Sequence, residues 1–218
     1  MADIPSGDHP QVEAGQQEHQ TLLPLRHDAG LSGPLTLRDG VVVAVRPIQP
    51  DDTQRLIAFH ARLSPDTITF RYFGPVPVLS PERAAQLTHV DYEHRMALVA
   101  MTGCGEDQQI IAVVRYERID PTTAEVAFVV EDPWQGHGIA TQLLYRLATY
   151  AHGRGFSKFV AEIMNTNYRM REVVRFAGFP FTTRYEDGCV EMRLDITAPA
   201  SAPFAPDIEA AGDAAPRS

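Results

Sequence analysis

Cysteine is scarce: Cys104 and Cys189 are the only two in 218 residues. A disulfide scaffold is thereby excluded, and neither cysteine sits at a metal-ligand spacing. Two free thiols in a reducing compartment, the cytoplasm, are expected. Long apolar runs are missing too, so no membrane-spanning helix is expected. The opening Met1–Asp8 lacks the basic region and apolar stretch of a secretory signal. Positive charge is in short supply, with 19 Lys and Arg against 28 Asp and Glu and a net charge of −9. Residues 1–34 and 196–218 account for −4 and −2 of that, which leaves −3 for the middle. A near-neutral middle between acidic ends argues against nucleic acid or an anionic membrane as the main partner. Of the eight histidines, His9, His19 and His27 are widely spaced, and His60, His89, His94 and His152 share no ligand spacing. No metal is expected.

What is present is an ordinary soluble composition, 44% hydrophobic and 22% charged, on a chain long enough for one sizeable core. Residues 1–34 show little periodicity and residues 198–218 collapse to Ala, Pro and acid; both are expected to be disordered, flanking one domain over 35–197. Inside it, Val41–Val45 reads as a strand, and Asp51-Asp52 opens a helix whose apolar face is Leu56, Ile57, His60 and Leu63. Residues 64–79 resist assignment. Their aromatics Phe70, Tyr72 and Phe73 are read as core packing, with a substrate groove as the alternative. Ser80-Pro81-Glu82 is an N-cap, a first-turn proline and a first-turn acid, opening another helix. Met96–Met101 and Ile110–Tyr116 are strands joined by a hairpin loop, and Asp120-Pro121 turns the chain into a third, 124–130.

The stretch after that third strand organises the rest. Asp132-Pro133 ends the strand, because proline gives no N–H to a ladder. Gln135-Gly136-His137-Gly138-Ile139-Ala140-Thr141 follows, and a helical pattern starts at once with Ile139, Leu143, Leu144 and Leu147. Small residues at 136, 138 and 140 permit close approach to the backbone, and the unpaired N–H groups of a helix start bind anions such as a diphosphate. A parallel crossover then leads to strand 159–164. A second helix runs from Asn167 to Gly178, and a final hairpin over 180–194 turns at Asp187-Gly188.

This order of elements resembles the GNAT superfamily of acyl-CoA-dependent N-acetyltransferases. The motif Gln/Arg-x-x-Gly-x-Gly/Ala after the fourth strand is matched by Gln135, Gly138 and Ala140. The family's helix-opening Asn with Gly-Phe eleven and twelve residues on is matched by Asn167, Gly178 and Phe179. The likeness covers about residues 36–196. A nearer likeness, to bacterial Pat-type protein lysine acetyltransferases, rests on Leu63-Ser64-Pro65, Phe70-Arg71-Tyr72-Phe73, Leu79-Ser80, Asp91-Tyr92 and Ala124–Phe128. The resemblance implies an α/β (α+β) fold with a mixed, mostly antiparallel sheet of six to seven strands, helices on both faces and splayed parallel fourth and fifth strands. It also implies acetyl-CoA as donor and a protein lysine, for instance on an acyl-CoA synthetase, as acceptor. A small-molecule amine is the alternative acceptor, and a non-catalytic acyl-CoA-binding module is a third reading.

Freeing a lysine amine of pKa ~10.4 at pH 7 costs roughly 4–5 kcal/mol, so a general base is needed. Glu125, alone in an apolar strand, matches the Pat-type glutamate, and burial is expected to raise its pKa. The plain alternative is pairing with Arg115 or Arg118; Glu162 is the rival base. The resemblance further implies main-chain bonds from Phe128, Val129 and Val130 to the pantetheine arm, a diphosphate cradle over Gly136–Thr141 that includes His137, and a pantetheine bond from Asn167. A strand bulge is expected to free the Val130 N–H for the oxyanion. The family's thiolate-protonating tyrosine is replaced by Val174, and Tyr168 is not its equivalent, so no general acid is assigned. Trp134 is read as a packing or rim residue, and the His137 ring as facing solvent.

Overall fold

A computed structural model describes residues 30–198. The strands are β1 (Gly33–Thr36), β2 (Val42–Pro47), β3 (Arg95–Thr102), β4 (Gln109–Arg118), β5 (Thr123–Val130), β6 (Lys158–Met164), β7 (Phe181–Glu186) and β8 (Cys189–Asp195). The helices are α1 (Thr53–Ala61), α2 (Pro65–Tyr72), α3 (Pro81–Thr88), α4 (Ile139–His152) and α5 (Tyr168–Phe176). One sheet runs β1-β2-β3-β4-β5-β6-β8-β7. Every neighbouring pair is antiparallel except β5 and β6.

Alternation along the strands builds two cores. Val126 and Phe128 of β5 join Leu143, Leu144 and Leu147 of α4 and Val174 of α5 on one face. Val129 leans on the other face, where Leu56 and Phe59 of α1 and Ala84 of α3 meet Ala97, Val99 and Val113. The sheet is therefore covered on both sides around β3, β4 and β5.

Eight strands form where six to seven are expected. The addition is β1, whose residues Gly33 and Pro34 pair with Val45 and Ala44. Leu31 is 3% exposed. The ordered domain thus begins before residue 35, and the remainder of the expected disordered ends lies outside the described residues. The second difference is α2, in the stretch that resisted assignment. Its opening Ser64-Pro65-Asp66 repeats the signature of α3, and the Ser64 hydroxyl caps the Thr67 N–H at 3.2 Å. The run Thr-Ile-Thr-Phe-Arg-Tyr that follows is β-branched and aromatic, which hides a helix from propensity. Packing decides it, since Ile68 is buried in the second core. Tyr72 packs there as expected, but Phe70 and Phe73 line the cleft described next.

Asp52 does more than begin a helix. It is fully buried, takes Arg46 through two bonds of 2.6 and 2.7 Å, and accepts the Gln49 N–H. Burial pushes its pKa up, but the Arg46 hydrogen bonds and charge, the Gln49 N–H and the Arg55 charge pull it below the usual carboxylate value.

Candidate active site

β5 and β6 are paired only over Thr123–Glu125 and Lys158–Val160. Beyond Glu125 they part, while β4 stays on β5 to Val130 and β8 stays on β6 to Met164. A cleft of about 680 Å³ fills the wedge. It is lined by β5 from Glu125 to Val130, by the turn after it, by Ala161–Ile163 of β6, and by side chains of α2 and α5.

The Glu131 N–H donates to the Ile111 carbonyl at 2.9 Å. By antiparallel alternation Val129 and Ala127 also turn their main-chain groups to β4, while Val126, Phe128 and Val130 turn theirs to the gap. The Val130 carbonyl is taken by the Gln135 side-chain amide at 3.1 Å. The Phe128 groups and the Val130 N–H face the wedge with no strand to pair them. The register therefore takes Val129 out of the expected set of main-chain donors, though its side chain lines the cleft. No bulge interrupts the β4–β5 register; the splay itself frees the Val130 N–H.

The turn is held from both sides. Gln135 donates to Thr67 Oγ1 at 3.1 Å and accepts from Arg169 Nη1 at 2.9 Å, so its side chain ties β5 to α2 and α5. Asp132 accepts from the Ser64 N–H, the Ser64 hydroxyl and the Thr67 hydroxyl at 2.9, 2.7 and 2.8 Å. Burial raises its pKa, but these three donors outweigh that and hold it below the ordinary value. Glu131 takes Arg62 at 2.8 Å. Gly138 caps α4 at φ 85°, a left-handed conformation that favours glycine, and a Cβ there would meet Arg38 Nε at 3.4 Å. Gly136 is also left-handed, and space around it is open. The N–H groups of Ile139, Ala140 and Thr141 lie in the first turn of α4, where no intrahelical acceptor exists for them. Arg38 lies against Gly138, Arg169 bonds to Gln135, and both line the cleft. These features fit a diphosphate: free N–H groups, a helix N-terminus and two cations.

The His137 ring, about a third exposed, pairs with Asp39 through Nδ1 at 2.8 Å, and its carbonyl accepts from the Arg38 N–H at 3.3 Å. It fastens the β1–β2 turn to the cradle and is not among the residues lining the cleft. Asn167 caps α5, accepting the Met170 N–H at 3.1 Å, and lines the cleft; its amide NH₂ stays available for a ligand. Trp134 both packs on the first core and lines the cleft. Val174 is fully buried. No tyrosine is among the residues lining the cleft.

Both candidate bases reach the cleft, because β5 and β6 present Glu125 and Glu162 on the same sheet face. Glu125 is exposed, not buried, because its side chain stands on the sheet face that borders the cleft. Neither Arg115 nor Arg118 pairs with it: Arg115 donates to the Leu87 carbonyl and Arg118 to that of Pro121. The charge of Glu125 acts on Arg71 of α2. Glu162 is exposed as well, and burial, then the charge of Glu162, pushes the pKa of the Cys189 thiol up. Sequence reading passed over Arg71, Arg38, Arg169 and Asp132. Arg71 carried a signal, a lone charge among Phe70, Tyr72 and Phe73; the other three are placed by folding alone. Among the described residues no cluster of His, Cys, Asp and Glu could hold a metal, and no helix is long and apolar enough to cross a membrane.

A mixed sheet split between two parallel strands, with a glycine-rich helix start at the split, is the architecture of acyl-CoA-dependent N-acetyltransferases. Residues 66–179 match the acetyltransferase (GNAT) family, and the chain belongs to it as a GNAT-type N-acetyltransferase. It is 31% identical to an acetyltransferase of Pseudomonas aeruginosa over 66% of this chain and 78% of that protein. It is 30% identical to the acetyltransferase Pat of Mycolicibacterium smegmatis over 80% of this chain, and spans 52% of that longer protein. The crystal structure of the GNAT domain of S. lividans PAT superposes with a TM-score of 0.71 at 37% identity, covering 77% of this chain and 98% of that one.

Proposed function

We propose that the protein transfers acetyl from acetyl-CoA to the side-chain amine of a protein lysine, with Glu125 as general base. The observation that carries this reading is the exposed Glu125 carboxylate on an open cleft wall, beside the main-chain groups that the strand splay leaves unpaired. A substrate lysine on a folded protein needs such an approach. Phe73, 45% exposed, stands at the same wall and does not close it. The similarity to Pat proteins supports the same reading, with an acyl-CoA synthetase as an acceptor of the expected kind.

Acetyl-CoA would be held by Phe128 and Val130 main-chain groups, the N–H groups of 136–141 and Asn167; it supplies an activated thioester. Glu125 takes the proton of the incoming ammonium, directly or through one water, so that the nitrogen lone pair can form the C–N bond. The Val130 N–H faces the wedge, where it can stabilise charge developing on the carbonyl oxygen. The C–S bond then breaks, and the second proton of the attacking nitrogen passes to the departing sulfur or to solvent, leaving the amide. A thiol pKa of about 8.5 lets the sulfur leave as thiolate without an acid, consistent with a cleft that has no tyrosine. Glu162, exposed on β6 across the same cleft, is the rival base. Incubation with acetyl-CoA and a cell lysate, followed by mass spectrometry, tests the reading. Acetyl-lysine on a restricted set of proteins is expected; acetylation confined to free polyamines or amino acids would overturn it.

A further inference from the structure

Adjoining the cleft is a second, small pocket of about 20 Å³, room for one water molecule. Its lining includes His60, Tyr72, Arg71 and Arg115. Arg71, Ala127 and Val129 border both spaces, so Arg71 is the one charged side chain common to the two. His60 is 2% exposed and its Nε2 has no hydrogen-bond partner. These four polar side chains sit among apolar ones of the second core, against Ala127 and Val129 of β5.

Two of the four are arginines. Arg115 donates to the Leu87 carbonyl at 3.1 Å, which engages one of its five N–H groups. Burial, and then the charge of Arg71, push its pKa down to about 10. Arg71 is itself lowered by burial, with Tyr72 and Glu125 acting the other way and Arg83 adding to the repulsion. Its guanidinium stands 5.1 Å from the Tyr72 ring centroid. The carboxylates on this sheet face, Glu117 and Glu125, act on the two arginines only through space. Among the described residues neither Arg71 nor Arg115 forms an ion pair. Two desolvated guanidinium groups that repel each other are stabilised by an anion, and a planar fork fits a carboxylate best.

We propose that Arg71, backed by Arg115, is a carboxylate subsite of the acceptor, which selects an amine carried beside an acidic group. The inference rests on the acetyl-transfer reading and names its specificity. The ammonium of the acceptor goes to Glu125, and its neighbouring carboxylate goes to Arg71. On a protein the carboxylate is an Asp or Glu side chain flanking the target lysine; on a small acceptor it is that of an amino acid. The same subsite serves either source.

The test uses the full chain with bound CoA. Fluorescence anisotropy measures binding of labelled nonapeptides with a central lysine flanked by Asp or by Asn, and transfer from acetyl-CoA is followed on the same peptides and on lysine against lysinamide. A charge-assisted bidentate contact predicts at least about tenfold tighter binding of the Asp peptide. In Arg71→Gln the preference falls to about twofold or less, and Arg71→Lys restores part of it, while the Asn peptide binds as in the wild type. Tighter Asp-peptide binding with no peptide acetylated keeps the subsite and removes the lysine-transfer reading. A preference for lysine over lysinamide with no peptide preference keeps the subsite and assigns it to a small acceptor. Equal handling of both pairs by the unmutated protein overturns the inference, whatever the variants do.

Discussion

Asp132→Asn tests whether the turn after β5 clamps α2 to the site. The carboxylate accepts three bonds at 2.7–2.9 Å, two of them on Oδ1 from the Ser64 and Thr67 hydroxyls and one on Oδ2 from the Ser64 N–H. An asparagine keeps the Oδ1 pair but loses their charge assistance, roughly half their strength. Its NH₂ replaces Oδ2 and points a donor at a donor, which strands the Ser64 N–H at about 1–3 kcal/mol. Ser64 and Asp132 are half-buried, so water relieves part of this, and about 2 kcal/mol remains. For a domain of this size that is a fall in Tm of about 4–8 °C. The pH dependence has a definite sign. The Asp132 pKa is depressed in the folded state, so its contribution is present above the ordinary carboxylate value and disappears as pH falls through the folded one. The gap between wild type and variant therefore closes below about pH 4. Functionally, α2 carries Phe70 and Arg71, so the acceptor KM should rise several-fold while acetyl-CoA affinity changes little. Urea unfolding at pH 7 and pH 3.5, hydrogen exchange of α2, and initial rates supply the readouts. A stability change under 0.5 kcal/mol with unaltered α2 exchange would refute the clamp.

Glu125→Gln should bind acetyl-CoA normally, by calorimetry, and transfer at least about tenfold more slowly near pH 7; normal rates there with Glu162→Gln inactive would move the base to β6. Asp52→Asn leaves Arg46 and Arg55 without their shared carboxylate, and because both are partly solvated the cost is about 1–3 kcal/mol in urea titration. Its sign matches that of Asp132: wild-type stability gained from Asp52 is lost as pH drops below about 4. Removal of residues 1–34 takes away the buried Leu31 and two β1 residues. A fall in Tm equivalent to at least about 2 kcal/mol is expected from calorimetric melting, and an unchanged Tm would show that β1 adds nothing.

Legibility in the sequence follows how local the physics is. The glycine turn at 135–141 could be read because glycines at 136 and 138 and the apolar spacing from Ile139 act within one segment. The closing hairpin was legible for the same reason: Asp187 and Gly188 both take positive φ, at 46° and 79°. The Asn167 cap likewise depends only on the Met170 N–H three residues on. The errors concern properties set by other strands. Glu125 looks buried in its own strand, and is exposed because its side of the sheet borders the cleft there. Val129 looks as available as Phe128 until the Glu131–Ile111 bond fixes which residues face β4. His137 is drawn to Asp39, and Asp132 to Ser64 and Thr67, across 98 and 65–68 residues of sequence.

The same separation explains how one sheet serves two substrates. Main-chain groups lie in the plane of the sheet, so parting β5 from β6 exposes them at the strand edges; that is the feature suited to a pantetheine arm, common to any acyl-CoA. Side chains stand perpendicular to the sheet, so Glu125, Glu162 and the arginine wall under α2 confront whatever approaches the face. Changes of face residues and of α2 can then alter the acceptor without disturbing the donor site. A swap of Phe70–Phe73 against a relative's segment should accordingly shift acceptor preference and leave acetyl-CoA affinity within about twofold, whereas Gly138→Ala, placed at the edge and against Arg38, should do the reverse. Loss of acetyl-CoA binding in the α2 swap would show that the two functions are not divided between edge and face.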